Sequence, residues 1–246
     1  MRYLLRQLWP AVLLLVAWQF WADRAGFNRI VLVTPVAVLR DLIHAPGAYI
    51  TPSLHTFAYA LGGLCIGLMA GVAMAVLAEL SEILAGMTLP IALVLSSTPV
   101  VCLIPIVARI FGYGGHSEMA TVALMTFFPS FLYACRGLRE LPQLSAEMFQ
   151  SLAASRLTRL WLLALPSAMP AIATALRLGA SVSVLVALVA EYLMQTGGLG
   201  TLFAVTMQRF DMARALGASL IAMALSVMLY EAGRALELRV HHRYRG

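Results

Sequence analysis

Long uninterrupted apolar runs are the feature that most constrains this chain. They fall over 8–21, 53–78, 83–110, 118–135, 170–191 and 214–236. Their apolar residues are continuous rather than alternating, so they read as helices and not as barrel strands. Each approaches the roughly 20 residues that cross a bilayer. Of 246 residues, 61% are hydrophobic and only 11% are charged. A typical soluble domain is about 25% charged, and a soluble fold could not hide this much apolar surface. The expected fold class is an all-α integral membrane protein with about six transmembrane helices and no room for a separate soluble domain.

The charges exclude some chemistry. All 17 basic residues are arginine and none is lysine. A Walker A phosphate loop needs its lysine, and so does a Schiff base. The net charge of +6 fits cytoplasmic loops better than a nucleic-acid surface. Cys65, Cys102 and Cys135 lie far apart in apolar runs and read as small core hydrophobes. There is no HExxH, no GxSxG and no Cys/His cluster, and the five histidines fall at span ends, in loops or in the tail. No enzymatic activity, cofactor or metal is expected of this chain.

The organisation follows from the breaks. In the first run, Trp9, Pro10, Trp18 and Trp21 suit a retained helix with interfacial aromatics better than a cleaved signal. Thr34-Pro35 opens a short amphipathic helix, ended by His44-Ala45-Pro46-Gly47, in an external segment on the membrane. The second span carries Gly63-x-x-x-Gly67-x-x-x-Gly71, three small residues on one face that permit close helix contact. Glu79 and Glu82 bracket a tight turn. Pro90, Pro99 and Pro105 interrupt the third span, with Ser96, Ser97 and Thr98 beside the middle break. Irregular backbone at membrane depth is tolerated where it is buried or lines a wet cavity, so this span is read as lining a pathway. Residues 111–116 form an external turn, and 192–213 an external loop containing Gly197-Gly198-Leu199-Gly200. The division is 1–52, a first transmembrane helix with an external amphipathic segment, and 53–246, a core of five transmembrane helices with a cytoplasmic loop at 136–166.

Arginine bias sets the orientation. With both termini inside, ten of the 17 arginines (2, 6, 136, 139, 156, 159, 234, 239, 243 and 245) are cytoplasmic. Arg24, Arg29 and Arg40 lie outside and weaken the bias.

Residues 145–166 are the segment that carries function. Ser145 is the expected N-cap, with Glu147 in the first turn where the dipole favours an anion. Phe149, Leu152, Ala153, Leu157, Leu160, Trp161 and Ala164 recur at helical spacing, with a turn expected near Ala153-Ala154-Ser155. Apolar residues next to arginines suit docking to a partner protein and equally suit a helix resting on the membrane.

The same segment resembles the EAA loop of the transmembrane permease subunits of binding-protein-dependent ABC importers. Glu147 matches the leading Glu, Ala154-Ser155-Arg156 the common Ala-Ser-Arg, and Leu165-Pro166 falls at the family's offset. Two departures stand out: Met148-Phe149 replaces the paired alanines, and Ala153 replaces the glycine. Other elements are similar in order: Ser53-Leu54, the Pro99/Pro105 helix, Phe111-Gly112-Tyr113-Gly114, Leu176-Arg177, and Glu191 ahead of Gly198-Leu199-Gly200. The set looks like the branch serving nitrate, sulfonate, taurine, bicarbonate and thiamine-precursor uptake.

That resemblance implies a type I ABC importer permease in a bacterial inner membrane. It implies a dimer, here expected to be of identical chains. The expected partners are ABC ATPase subunits, which bind ATP and Mg²⁺, an external or periplasmic substrate-binding protein, and the lipid bilayer; no nucleic acid is expected. The coupling set would be Glu147, Phe149, Leu152, Ala153, Ala154, Ser155, Arg156, Leu165 and Pro166. Ser96, Ser97, Thr98, Pro99, Arg109, Arg177 and Glu191 are candidates for lining the pathway. A passive channel, or the transmembrane coupling subunit of a vitamin importer of the energy-coupling-factor type, is the alternative, with Cys135-Arg136-Gly137 as a faint echo of the latter.

Overall fold

The computed structural model describes residues 2–24 and 33–244, and every regular element among them is a helix. Arg29 and Arg245 lie outside the described residues, as do the side chains of Glu82 and Ser96. The order is α1 (Arg2–Arg24), α2 (Pro35–His44), α3 (Gly47–Leu80), α4 (Glu82–Ser96), α5 (Val100–Phe111), α6 (Gly115–Arg139), α7 (Gln143–Ser151), α8 (Arg156–Arg159), a π-helical turn (Leu160–Ala164), α9 (Leu165–Met194), α10 (Gly198–Gln208) and α11 (Met212–Tyr244).

Among the described residues, four helices are long and apolar enough to cross a membrane: α3, α6, the continuous run Arg156–Met194, and α11. The expected third span is two shorter helices, α4 of 15 residues and α5 of 12. Of its three prolines, only Pro99 ends a helix; Pro90 and Pro105 sit inside α4 and α5. Pro99 disfavours helical backbone at the residue before it. Ser97 and Thr98 then donate to the freed carbonyl of Val94, at 2.8 and 3.1 Å. The apolar run expected as a first span lies in the 23-residue α1, which is not one of those four.

The core is built on small residues. Gly63, Gly67 and Gly71 are buried along one face of α3. A Cβ at Gly71 would lie 2.7 Å from the Phe127 carbonyl oxygen, and one at Gly63 3.0 Å from that of Met119. So α3 and α6 meet nearly backbone to backbone, the contact that this spacing permits. Ala60, Leu64, Val122, Ala180, Val184, Ala187 and Leu229 join α3, α6, α9 and α11 in the middle. Ala75, Phe128, Phe131, Leu138, Leu160 and Ala168 form a second cluster toward the α7 end.

Several boundaries differ from the sequence expectation. α3 starts at Gly47 rather than 53 and runs unbroken to Leu80, with Ser81 as the turn residue. α6 continues to Arg139 and draws Arg136 into the helix. Residues 198–208 are a helix, not a loop. Its glycines start a helix because Gly197 and Gly198 supply φ of 116° and 77° at its entry.

α2 forms as expected, with Pro35 in its first turn and the Thr34 hydroxyl accepting from the Ala37 amide at 3.3 Å. It is tied to α11: Arg214 Nη2 donates to Asp41 Oδ1 at 3.0 Å, and the Tyr49 hydroxyl donates to the same carboxylate. Burial works to raise the Asp41 carboxyl, but the bonds from Arg214 and Tyr49 outweigh it and hold it below its ordinary value.

Candidate functional site

The α7 end of the bundle is a helix–turn–helix joined rigidly to a span. α7 begins at Gln143 behind Pro142, whose extended backbone is its N-cap. Ser145 is therefore not the cap, and Glu147 sits past the first turn, accepting from Gln143 Nε2 at 3.2 Å. Proline fixes its own φ and starts the helix one turn early.

The turn falls where the sequence indicated. The Ala153 amide donates to Gln150 O at 3.0 Å and the Ala154 amide to Phe149 O at 3.1 Å. Ala153 has φ 48°. This is a Schellman turn with alanine at the position that favours glycine. Ser155 caps α8, accepting from the Thr158 amide at 3.1 Å. The chain then widens into the π-helical turn, with the cap amide of Leu165 donating to Leu160 O. The wider turn accommodates Pro166, whose ring would clash with a carbonyl four residues back. Leu165 and Pro166 thereby join the segment to α9 without a loop.

A cavity of about 660 Å³ lies behind this segment, lined by Glu79, Arg139, Phe149, Ala153, Arg156 and Arg159 among others. Glu79 at the end of α3 approaches Arg139 and Arg159, both at 3.8 Å. Phe149 faces this cavity and is half-buried. The uncovered apolar residues of α7 and its C-cap are instead Leu144, Met148 and Leu152, which are 83%, 53% and 70% exposed. They recur every four residues and make one stripe. Leu144 and Met148 were missed in the sequence, although that period was there to read. Arg156 is exposed beside the turn.

The pathway candidates scatter. Ser97 and Thr98 satisfy the α4 end, Pro99 is the N-cap of α5, and Arg109 is exposed in the last turn of α5. Arg177 joins α9 to α11: its Nε lies 2.6 Å from Glu237 Oε2, and its Nη1 donates to the Tyr230 hydroxyl at 2.6 Å.

Glu191 is wholly buried at the opposite end, where it caps α10. It accepts from the Gly200 amide at 2.8 Å and from Thr56 Oγ1 at 2.8 Å, while Thr56 accepts from the Leu199 amide at 2.9 Å. Two of the unpaired amides at a helix start are thus satisfied, and an anion stands at the positive end of the dipole. A Cβ on Gly198 would collide with the Glu191 carboxylate. Beside it lie His55 and the fully buried Glu118. Glu118 was read in the sequence only as the start of a span. Its carboxylate and that of Glu191 offer oxygens within 4.8 Å of each other. Two charges at that distance repel by roughly 3 kcal/mol at an effective dielectric near 20.

Residues 63–242 match the family described as binding-protein-dependent transport system inner membrane component. A probable ABC transporter permease protein of Haemophilus influenzae is 30% identical over 228 residues, covering 92% of this chain and 93% of that one. The formylaminopyrimidine transport permease protein ThiX of Halalkalibacterium halodurans is 27% identical over 227 residues, covering 92% and 90%. Among solved structures, a chain of the inward-facing MetNI methionine ABC transporter superposes with a TM-score of 0.58 at 18% identity, covering 81% of this chain and 97% of that one. The shared fold is that of type I ABC importer permeases.

Proposed function

The chain belongs to the binding-protein-dependent transport system inner membrane components, a family of multi-pass membrane transport subunits rather than enzymes, and from there we propose how it works. It forms half of the translocation pathway of an ATP-driven importer, paired with a second, identical chain in a bacterial inner membrane. The family implies ATPase partners and a substrate-binding protein. In this reading ATP and Mg²⁺ are held by the ATPase, both termini are cytoplasmic, and α7 with its turn seats in a groove of the ATPase.

The observation that carries the reading is the Leu144, Met148 and Leu152 stripe on α7. It stays uncovered while the turn at Ala153–Ser155 and the π-helical turn join α7 to the span Arg156–Met194. Closure of the ATPase dimer would then move α9 directly, as a rigid-body switch between two packed states. The cargo is a small polar or anionic solute. One relative carries formylaminopyrimidine in its name and another, 31% identical over 201 residues, carries taurine, which supports a range of nitrate, sulfonate, taurine, bicarbonate or thiamine-precursor solutes without choosing within it.

Affinity purification from the native membrane with protein mass spectrometry tests this. An ATPase at about one copy per permease chain is expected. Its absence under mild detergent would move the weight to the alternative of a passive channel. Glu147→Ala should weaken that association or uncouple uptake, and full assembly with full uptake would remove α7 from the coupling role. A reporter fused to the C-terminus should be active on the cytoplasmic side.

A further inference from the structure

The polar cluster at the α10 end contains more than a helix cap requires. Glu191 and Thr56 alone take up the α10 amides. Glu118 adds a second carboxylate that is fully buried and only half engaged. Its Oε2 accepts from the Thr196 hydroxyl at 2.9 Å. Its Oε1 has no hydrogen-bond partner among the described residues. A carboxyl oxygen buried without a partner is costly unless a cation or donor meets it.

We propose that His55, Glu118 and Glu191 bind a divalent transition-metal ion of the zinc class, which fastens α3, α6 and α9 together at this end. The three donors come from three different helices, and their ligand atoms lie within 4.8 Å of one another. His55 Nδ1 is 3.3 Å from Glu191 Oε1 and 3.9 Å from Glu118 Oε2. A tetrahedral zinc with bonds of about 2.1 Å sets its donors about 3.4 Å apart. Small side-chain rotations therefore close the site without moving a helix.

The donor set selects the metal class. One imidazole with two carboxylates suits zinc and its neighbours, whereas calcium and magnesium take six or more oxygens. The ligands are already oriented by groups behind them. Thr56 and the Gly200 amide hold Glu191, and Thr196 holds Glu118. The His55 ring lies against Tyr59, with centroids 4.4 Å apart. Such supporting contacts fix ligand geometry in metal sites. Entry is open on one side only: the His55 side chain is 25% exposed, while both carboxylates are at 0%. Water through that opening supplies the fourth ligand. The cluster lies within one chain and uses no residue of α7, so it stands apart from the transport reading.

The test uses the full chain purified in mild detergent with its copurifying subunits. It is stripped with chelator, incubated with zinc chloride, desalted, and assayed for zinc per permease chain. Cobalt chloride gives a parallel reading through the visible absorption of a tetrahedral cobalt site. The wild type should hold about one zinc per chain. Glu118→Gln and His55→Asn should each cut that by about tenfold or more, and zinc should raise the unfolding temperature of the wild type but not of either variant. A His241→Ala, His242→Ala variant should keep its zinc. The proposal is overturned if the wild type binds no zinc, if both variants bind it as the wild type does, or if the loss follows the tail histidines. The wild-type measurement needs no substitution, so a variant that misfolds cannot rescue the proposal.

Discussion

The Ala154 amide donates to the Phe149 carbonyl across a residue, Ala153, that stands at φ 48°. The bond closes the turn between α7 and α8, and alanine is held where glycine would rest without strain. A left-handed L-residue costs roughly 1–2 kcal/mol. The expected outcome is that Ala153→Gly stabilises the chain by about 1 kcal/mol or slightly less, after the greater freedom of glycine when unfolded. Thermal unfolding in detergent would read this as a small rise, and a fall would mean that the turn is not left-handed in solution.

Met148 and Phe149 are neighbours with opposite surroundings, one on the open stripe and one against the Glu79 and Arg139 cavity. Met148→Glu should leave unfolding within about 0.5 kcal/mol of the wild type but reduce ATPase copurification by about tenfold or more. Phe149→Ala should destabilise the permease itself by roughly 1–3 kcal/mol, since the ring is only half-buried. The reverse pattern would exchange their roles.

Arg177 and Glu237 fasten α9 to α11 at 2.6 Å, with Thr174 donating to the same carboxylate at 2.6 Å. Both side chains are largely but not wholly buried. Arg177→Gln or Glu237→Gln alone should cost roughly 1–3 kcal/mol, mostly for the partner left unpaired. The double variant should cost less than the sum, and a double-mutant cycle with no coupling would make the pair incidental.

The Asp41 tie between α2 and α11 depends on an ionised carboxyl held below its ordinary value of 3.8. A depressed carboxyl contributes stability that is complete above that value and lost as pH falls through the folded one. Asp41→Asn should therefore lower the unfolding temperature by the same amount at neutral pH and near pH 5, with the gap closing only below about pH 4. A gap that vanishes by about pH 6 would show that another group controls the tie.

Much of the architecture was legible because it rests on local rules. Pro99 with Ser97 and Thr98 marked the break in the third span. The Gly63, Gly67 and Gly71 period marked the face that α6 meets. Thr34-Pro35 marked the start of α2, and Ala153-Ala154-Ser155 the turn. Local rules also misled where two competed. Ser145 is a good cap, but Pro142 three residues earlier had already set the backbone. Gly197 to Gly200 read as a loop, although the same glycines open a helix once a carboxylate waits to receive its amides.

The chain by itself determined that it is helical, membrane-embedded and without the lysine of a Walker A phosphate loop, because hydrophobic period, proline position and the lack of lysine are properties of neighbouring residues or of simple composition. Tertiary structure alone decided which side chains meet. Thr56 and Glu191 are 135 positions apart, and Glu118 and Thr196 are 78 apart. No periodicity encodes such pairs. They follow from the glycine-tight packing of α3 on α6 and the capping of α10 by α9, which bring buried polar groups together where only a partner can offset their lost hydration.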